Sequence, residues 1–186
     1  MPALNRATPP SPYDYLGEVP SFTVTSDDLT EGQPMSLRFV ADANFGLTGE
    51  NVSPHLAWSG FPAETRSFAV TCFDPDAPTG SGFWHWVLFD IPVTTTELAT
   101  GAASGDCSGT PAGAVHTGND TGNRLYTGPF PPAGHGPHRY LFAVTALDCD
   151  NLGLEAGASG AVVGFYISNH ILARGVLTAT HEEPAG

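Results

Sequence analysis

Two aspartates and a histidine lie close together in the sequence and could form a polar site. Asp74 and Asp76 stand in the segment Asp74-Pro75-Asp76-Ala77-Pro78, which separates two apolar runs, and His85 lies near the start of the second run. Because proline fixes φ and lacks an N–H donor, neither run can continue as a strand through this segment. The two carboxylates are therefore predicted to sit on a rigid corner beside a histidine.

A second polar group is expected on a later apolar run, residues 138–147. His138 and Tyr140 are two positions apart, so in a strand both side chains project from one face, about 6.6 Å apart, and Arg139 points the other way. Together with the corner, this gives two histidines, a tyrosine and one or two carboxylates. Such a set can hold a compact anion, because imidazoles and a phenol donate hydrogen bonds and a carboxylate orients or protonates a histidine.

Each of these residues also has a purely structural interpretation. An aspartate in an Asp-Pro-Asp turn often binds its own backbone, and a histidine between two tryptophans, as His85 is, is often a satisfied core residue. His135 and His138 lie next to glycines and prolines, and one of them could simply face solvent. Taken singly, the structural interpretations are favoured. Taken together, these residue types at strand ends and turns favour a shared pocket.

The elements that must position these residues are mostly strands. Apolar residues on both faces predict three central, covered strands at residues 67–73, 83–91 and 138–147. The other predicted elements are four short strands at 21–25, 35–40, 55–58 and 176–180 and one helix at 156–174. Gly175 is expected to end the helix. The sequence therefore predicts a mainly β fold, a sandwich with a helix near the C-terminus.

Three segments set the domain organisation. Residues 1–20 contain five prolines and are predicted to be a flexible N-terminal arm, whereas residues 21–186 are predicted to be a single domain. Residues 94–123 are mostly small and polar and are predicted to form a long irregular excursion. No stretch is typical of a signal peptide or of a membrane span.

Charge and cysteine content exclude several classes of partner. The 186 residues carry a formal net charge of −13, and the six basic residues are all arginine. Bulk electrostatic binding to nucleic acid or to an anionic membrane is therefore not expected. The three cysteines are odd in number and lack metal-type spacing, which predicts free thiols in the reducing cytoplasm.

Several of these stretches also resemble a known family. Residues 74–78, Trp84-His85, Gly128-Pro129 and 136–140 are similar to the two signature regions of the phosphatidylethanolamine-binding protein family. Residues 51–60 resemble the opening segment of its bacterial Raf-kinase-inhibitor-like branch, the YbhB/YbcL proteins, and residues 169–174 resemble the C-terminal helix of that branch.

The resemblance implies both a fold and a site. The fold would be a β-sandwich with a large, antiparallel-rich central sheet, a smaller sheet and a C-terminal helix. The site would be a small surface pocket for phosphate-like anions and phospholipid head groups. By the motif match, its ligand-binding residues would be Asp74, Asp76, His85, Gly128, Pro129, His138 and Tyr140, with Pro78 and Trp84 in its wall.

Three functions from different classes follow. The favoured one is a binding protein for phosphate-like anions or phospholipid head groups, with no catalytic residue, cofactor or metal, whose affinity falls as pH rises through the histidine range. The second is an inhibitor or regulator of a protein partner such as a kinase or protease. The third is a hydrolase or metal-dependent enzyme that uses Asp74, His85 and His138. A homodimer is also expected, from the bacterial relatives.

Overall fold

The structure, a computed structural model, describes residues 8–185 and consists of two antiparallel sheets and one α-helix. The strands are β1 (Thr23–Thr25), β2 (Leu56–Ser59), β3 (Ser67–Asp74), β4 (Phe83–Pro92), β5 (Glu97–Leu98), β6 (Val115–His116), β7 (His138–Leu147) and β8 (Ile171–His181), and the helix is α1 (Gly160–Ser168). The small sheet has the order β1-β2-β5, and the large sheet has the order β6-β4-β3-β7-β8. The predicted mainly β sandwich is confirmed.

The large sheet separates two apolar clusters. On one face, residues such as Phe68 and Phe142 pack against Leu56 and Trp58 of the small sheet, and this packing forms the main core. On the other face, a smaller cluster lies beneath α1, which contributes residues that include Val163. Covering on both faces explains why the central strand β3 is buried along its whole length and why its sequence reads as a continuous apolar run.

A bulge in β4 decides which side chains reach the site. Phe73 pairs with Trp84 and Cys72 pairs with Trp86, so His85 is an extra residue in the ladder. Trp84 consequently packs with the cluster beneath α1, whereas Trp86 belongs to the main core. The bulge turns His85 toward the same side as Trp86 and breaks the alternation that the sequence would predict.

Two predicted elements are wrong. Residues 35–40 do not form a strand. They contain a 3₁₀ turn at Leu37–Phe39, which Ser36 caps by accepting a hydrogen bond from the Arg38 amide at 3.3 Å. The predicted helix 156–174 is limited to Gly160–Ser168, because residues from Ile171 onward pair with β7 along its length.

Gly175 does not end the helix but lies inside β8. A Cβ atom at this position would come within 2.4 Å of Val24 Cγ2 and 2.8 Å of the Phe22 carbonyl oxygen. The glycine therefore allows the segment before and within β1 to cross close over β8. Of the segment 169–174, which resembles a helix by its motif, Asn169 caps the C-terminus of α1 and residues 171–174 form the start of β8. The predicted strand at 176–180 is the later part of β8.

The two segments predicted to be irregular pack against the sheets. Residues 94–123 contribute β5 and β6 and bury Leu98 and Ala103 in the main core. Of the predicted arm, residues 1–7 lie outside the described residues. Its later part is bound to the large sheet, since the Pro9 carbonyl accepts from Arg139 Nη2 at 2.6 Å and the Arg174 guanidinium lies 4.6 Å from the Tyr13 ring centroid. Within residues 8–185, no helix has the length and apolarity needed to cross a membrane.

Candidate functional site

A cavity of about 230 Å³ opens at the end of the main core, where β3, β4 and β7 meet the loop after residue 128. Its polar lining consists of Asp74, His85, His138, Tyr140 and Thr79, and its apolar walls are Ala77, Pro78, Phe83, Phe130, Pro131 and Pro132. The structure therefore brings together the corner and the β7 residues that the sequence singled out. Among residues 8–185, those that line the cavity include no lysine or arginine, so the described lining carries no permanent positive charge.

Asp74 is the anchor of the polar floor. It is the last residue of β3 and is only 3% exposed. Its Oδ1 accepts a hydrogen bond from the Asp76 amide at 2.7 Å, and its Oδ2 lies 2.7 Å from His138 Nδ1. Within the Asp-Pro-Asp corner, one oxygen of Asp74 thus binds the backbone of the corner itself. The other oxygen is left to orient His138.

His138 continues this chain to a residue that the sequence did not assign to the site. Its Nε2 lies 2.6 Å from His135 Nδ1. Because His138 Nδ1 donates to Asp74, a proton added at His138 would make Nε2 a donor as well, and the carboxylate would compensate the charge. The signal for His135 was its spacing of three from His138 across the Gly-Pro pair.

His85 is held in one tautomer by the backbone behind it. Its Nδ1 lies 2.9 Å from the Thr127 carbonyl, which can only accept, so Nδ1 carries the proton and Nε2 remains an acceptor for a ligand. Burial lowers the pKa of His85 below its ordinary value, although Asp74 and the backbone contacts oppose this effect. His85 therefore contributes a neutral acceptor to the cavity at neutral pH.

Asn119 of the excursion 94–123 supports this arrangement. Its buried amide donates to the His85 carbonyl at 3.2 Å, to the Leu125 carbonyl at 3.0 Å and to Thr127 Oγ1 at 2.9 Å. The excursion thus fixes the two backbone segments that position the His85 ring. No motif in this segment predicted that role.

Tyr140 contributes a hydroxyl donor without a hydrogen-bond partner to the lining of the cavity. The side chain is fully buried, and its hydroxyl has no hydrogen-bond partner among residues 8–185. Burial, with Asp74 nearby, raises the pKa of Tyr140 well above its ordinary value, so the phenol stays protonated. Its ring lies edge-on to His85 with centroids 5.1 Å apart.

Four predicted site residues do not line the cavity. Asp76 faces away and binds Arg139, with Oδ2 at 2.9 Å from Nε and Oδ1 at 2.9 Å from Nη2. Burial would raise the pKa of Asp76, but the bonds from Arg139 outweigh it and lower the pKa. Trp84 lies on the other face of the sheet because of the β4 bulge and lines a groove beside α1.

Gly128 and Pro129 support the cavity from behind. A Cβ atom on Gly128 would lie 2.4 Å from the Phe39 carbonyl oxygen and 2.6 Å from the Ala41 amide nitrogen, so only glycine fits this close approach. The Pro129 carbonyl accepts from the Ala41 amide at 3.0 Å. These two residues set the path of the chain into the lining residue Phe130.

The cavity residues do not form the metal triad considered from the sequence. Across residues 8–185, Asp74, His85 and His138 do not bring one ligand atom each within 4.8 Å of one another. What the arrangement offers instead is one unused phenol donor, one imidazole acceptor, and a carboxylate-histidine-histidine chain that can take up a proton. Such a set can form hydrogen bonds with a small group that both accepts and donates protons.

Comparison with known proteins shows what the chain is similar to. The sequence profile of the family described as phosphatidylethanolamine-binding protein matches residues 25–182. The protein YbhB of Escherichia coli K12 is 47% identical over 154 residues, which are 83% of this chain and 96% of YbhB. YbcL of the same strain is 40% identical over 168 residues, 90% of this chain and 91% of YbcL.

A solved structure agrees with these sequence matches. The crystal structure of E. coli YbcL, titled a new member of the mammalian PEBP family, superposes with a TM-score of 0.84 and 42% identity and covers 87% of this chain and 98% of that chain. The two bacterial relatives are thus matched over nearly their whole lengths.

Proposed function

The chain belongs to the phosphatidylethanolamine-binding protein family, and on that premise we propose that its cavity binds phosphate-like anions, a compact phosphate monoester more tightly than the phosphodiester of a phospholipid head group. The cavity volume of about 230 Å³ lies below the range of roughly 300–1,000 Å³ that holds drug-sized ligands. A phosphate group with a short substituent fits this size, whereas an acyl chain would remain outside.

The buried hydroxyl of Tyr140 is the observation that carries the proposal. A buried polar group without a partner destabilises a protein by about 1–3 kcal/mol, and Tyr140 OH has no partner among the described residues. A phosphate oxygen would accept its proton. The apolar walls would exclude water around that bond and strengthen it.

The acid-base state of the cavity adds a preference for the proton-bearing form of the ligand. His85 offers a neutral acceptor, so a ligand must donate as well as accept. A phosphate monoester has a second pKa near 6 and carries a P–OH group in its monoanion. Sulfate lacks that proton at neutral pH. We therefore expect the cavity to bind phosphate more tightly than sulfate.

Calorimetric titration with inorganic phosphate, phosphoethanolamine and sulfate tests the proposal. We expect saturable binding of both phosphates, an affinity that falls as pH rises through the histidine range, and at least tenfold weaker sulfate binding. Asp74→Asn should weaken phosphate binding because His138 loses its charged partner. His170→Ala is the matched control, since His170 and Asp148 form a similar pair at 2.8 Å far along the sheet.

Two outcomes would overturn the proposal. Equal affinities for phosphate and sulfate that do not change from mildly acidic to alkaline pH would show that the cavity does not share a proton with its ligand. Release of ethanolamine and inorganic phosphate from phosphoethanolamine by hydrolysis, lost in Asp74→Asn, would make the site hydrolytic and favour the enzyme alternative. The proposal is of a binding protein because neither hydroxyl side chain of the lining is hydrogen-bonded to the Asp74–His138 pair: Thr79 donates to the Gly82 carbonyl, and the Tyr140 hydroxyl has no hydrogen-bond partner among the described residues.

We further propose that two copies associate through an uncharged face formed by α1 and Leu16. The helix has no charged side chain, and Phe165, Leu16, Val162 and Tyr166 are 68%, 60%, 42% and 39% exposed. Two chains with a net charge of −13 each repel one another elsewhere, so an uncharged apolar face is where copies can meet.

Three free cysteines support the proposed cytoplasmic location.

Light scattering after size exclusion tests this association. We expect a dimer that Phe165→Glu converts to monomer, whereas Leu37→Glu, a substitution of another exposed apolar residue at 54% exposure, leaves the dimer intact. A wild-type monomer at all concentrations would contradict the dimer and would assign the face to a different protein, as the regulator alternative requires.

A further inference from the structure

A cluster of three different metal-ligand types lies at the end of β7 that is remote from the cavity. Asp148 and Cys149 follow β7, and His170 directly precedes β8. One ligand atom from each of the three residues lies within 4.8 Å of the other two. No sequence motif indicates this cluster, because the cysteine and the histidine are 21 positions apart.

The cluster is held by the most extensively paired part of the sheet. Strands β7 and β8 pair from His138↔His181 to Leu147↔Ile171, and the Asp148 amide continues the ladder by donating to the His170 carbonyl at 3.0 Å. On the other side, Ser67 Oγ donates to the Cys149 carbonyl at 2.6 Å. The backbones of all three residues are therefore fixed before any ion binds, which lowers the entropy lost on binding.

The backbones of the three residues are fixed, but their side chains can still rotate toward an ion. In a tetrahedral zinc site the ligand atoms lie about 2.0–2.3 Å from the ion, and therefore roughly 3.3–3.8 Å from one another. His170 and Asp148 have side-chain exposures of 38% and 52%, so small rotations suffice to reach this spacing. Their exposure also leaves the fourth position open to water.

We propose that Asp148, Cys149 and His170 form a zinc-binding site with three protein ligands. Thiolate, imidazole and carboxylate together are the donor set of Zn²⁺ rather than of Mg²⁺ or Ca²⁺, which take oxygen ligands. The surroundings favour a cation, since the carboxylates of Asp90 and Asp150 also lie near Cys149 and one guanidinium, Arg66, faces them. That guanidinium is already paired with Asp150.

Titration with Co²⁺ tests the site, because tetrahedral cobalt gives visible bands and a thiolate ligand adds a sulfur-to-metal charge-transfer band. With metal-free reduced protein, we expect one equivalent of Co²⁺ to produce this band and Zn²⁺ to remove it. Cys149→Ser should abolish the band, and His170→Ala should weaken Co²⁺ binding at least tenfold. Cys107→Ser, which changes the other half-exposed cysteine, and Asp74→Asn, in the cavity, should leave the band unchanged.

A second measurement uses the unmodified protein and does not depend on how the variants fold. Zn²⁺ should slow alkylation of Cys149 at least tenfold and leave alkylation of Cys107 unchanged, as read by peptide mass spectrometry. No charge-transfer band at saturating Co²⁺, a band that survives Cys149→Ser, or equal alkylation of Cys149 with and without Zn²⁺ would overturn the proposal. The site stands apart from the anion cavity, so the failure of either proposal leaves the other untouched.

Discussion

Replacing Tyr140 by phenylalanine should stabilise the free protein and at the same time weaken phosphate binding. The substitution removes only the hydroxyl, which is buried and without a partner among residues 8–185, and keeps the ring that packs against His85. A buried unpaired polar group destabilises by about 1–3 kcal/mol. Allowing for the small void left behind, we expect a gain of about 1 kcal/mol, which in a chain of this size raises Tm by about 2–4 °C.

The same hydroxyl is the proposed donor to phosphate, so affinity should change in the opposite direction. A hydrogen bond to a charged acceptor contributes about 1.5–3 kcal/mol, and every 1.4 kcal/mol corresponds to about tenfold in Kd. Phosphate should therefore bind roughly 10- to 100-fold more weakly to Tyr140→Phe, measured by calorimetry. Thermal unfolding followed by circular dichroism gives the stability of the same preparation.

Tyr126→Phe is the matched control for both measurements. Tyr126 is also fully buried, but its hydroxyl donates to the Phe39 carbonyl at 2.8 Å. Its loss leaves that carbonyl unpaired, so Tm should fall by about 2–4 °C for each 1 kcal/mol lost, and phosphate affinity should stay as in wild type. If Tyr140→Phe lowers Tm as Tyr126→Phe does and leaves phosphate affinity unchanged, the Tyr140 hydroxyl serves the fold and the reasoning is wrong.

Two further predictions concern stability. Burial lowers the pKa of His116 to about 4, so the unfolded chain binds more protons between pH 4 and the ordinary histidine pKa near 6.5. His116 therefore supports folding fully above about pH 6.5, and up to about 3 kcal/mol of the free energy of unfolding is lost as pH falls toward 4. His116→Gln, which still accepts from Trp86 Nε1, should flatten this part of the pH profile of stability, measured by urea unfolding. An unchanged profile would contradict this expectation. In α1, Gly160→Ala should destabilise the protein, because the new Cβ would lie 2.7 Å from the Trp84 ring. Gly164→Ala should stabilise it by about 1 kcal/mol, because no atom lies within 4 Å of the new Cβ. Equal Tm changes in the two variants would refute this reasoning.

Local patterns predicted the central strands and the corner, because their causes are local. Apolar residues on both faces follow from a strand covered on both sides, and the prolines around Asp76 end β3 whatever the rest of the chain does. The pairing of Asp74 with His138 is different in kind. These residues are 64 positions apart, and only the adjacency of β3 and β7 brings them together.

The differences between the predicted and the observed structure come from long-range packing. The alternation of a regular strand would place Trp84 and Trp86 on one face, but the β4 bulge sends them to opposite faces and gives His85 to the cavity. The helical spacing after residue 168 was overridden by pairing with β7, and Gly175 was needed for a crossing segment rather than for a helix end. None of these contacts leaves a periodic trace in the sequence.

The proposed anion site lies in an acidic chain, so its affinity must come from the cavity itself. With a net charge of −13, the field of the whole protein repels phosphate and cannot steer it inward. In the proposed site the floor would compensate locally through the donor of Tyr140 and through the proton that the chain from Asp74 to His135 can accept, whereas His85 would accept from the P–OH of the ligand. His85 needs a ligand that donates a proton, and the Asp74 carboxylate and the net charge of the chain both oppose a dianion, so we expect the proposed site to favour the singly charged phosphate monoester over the dianion.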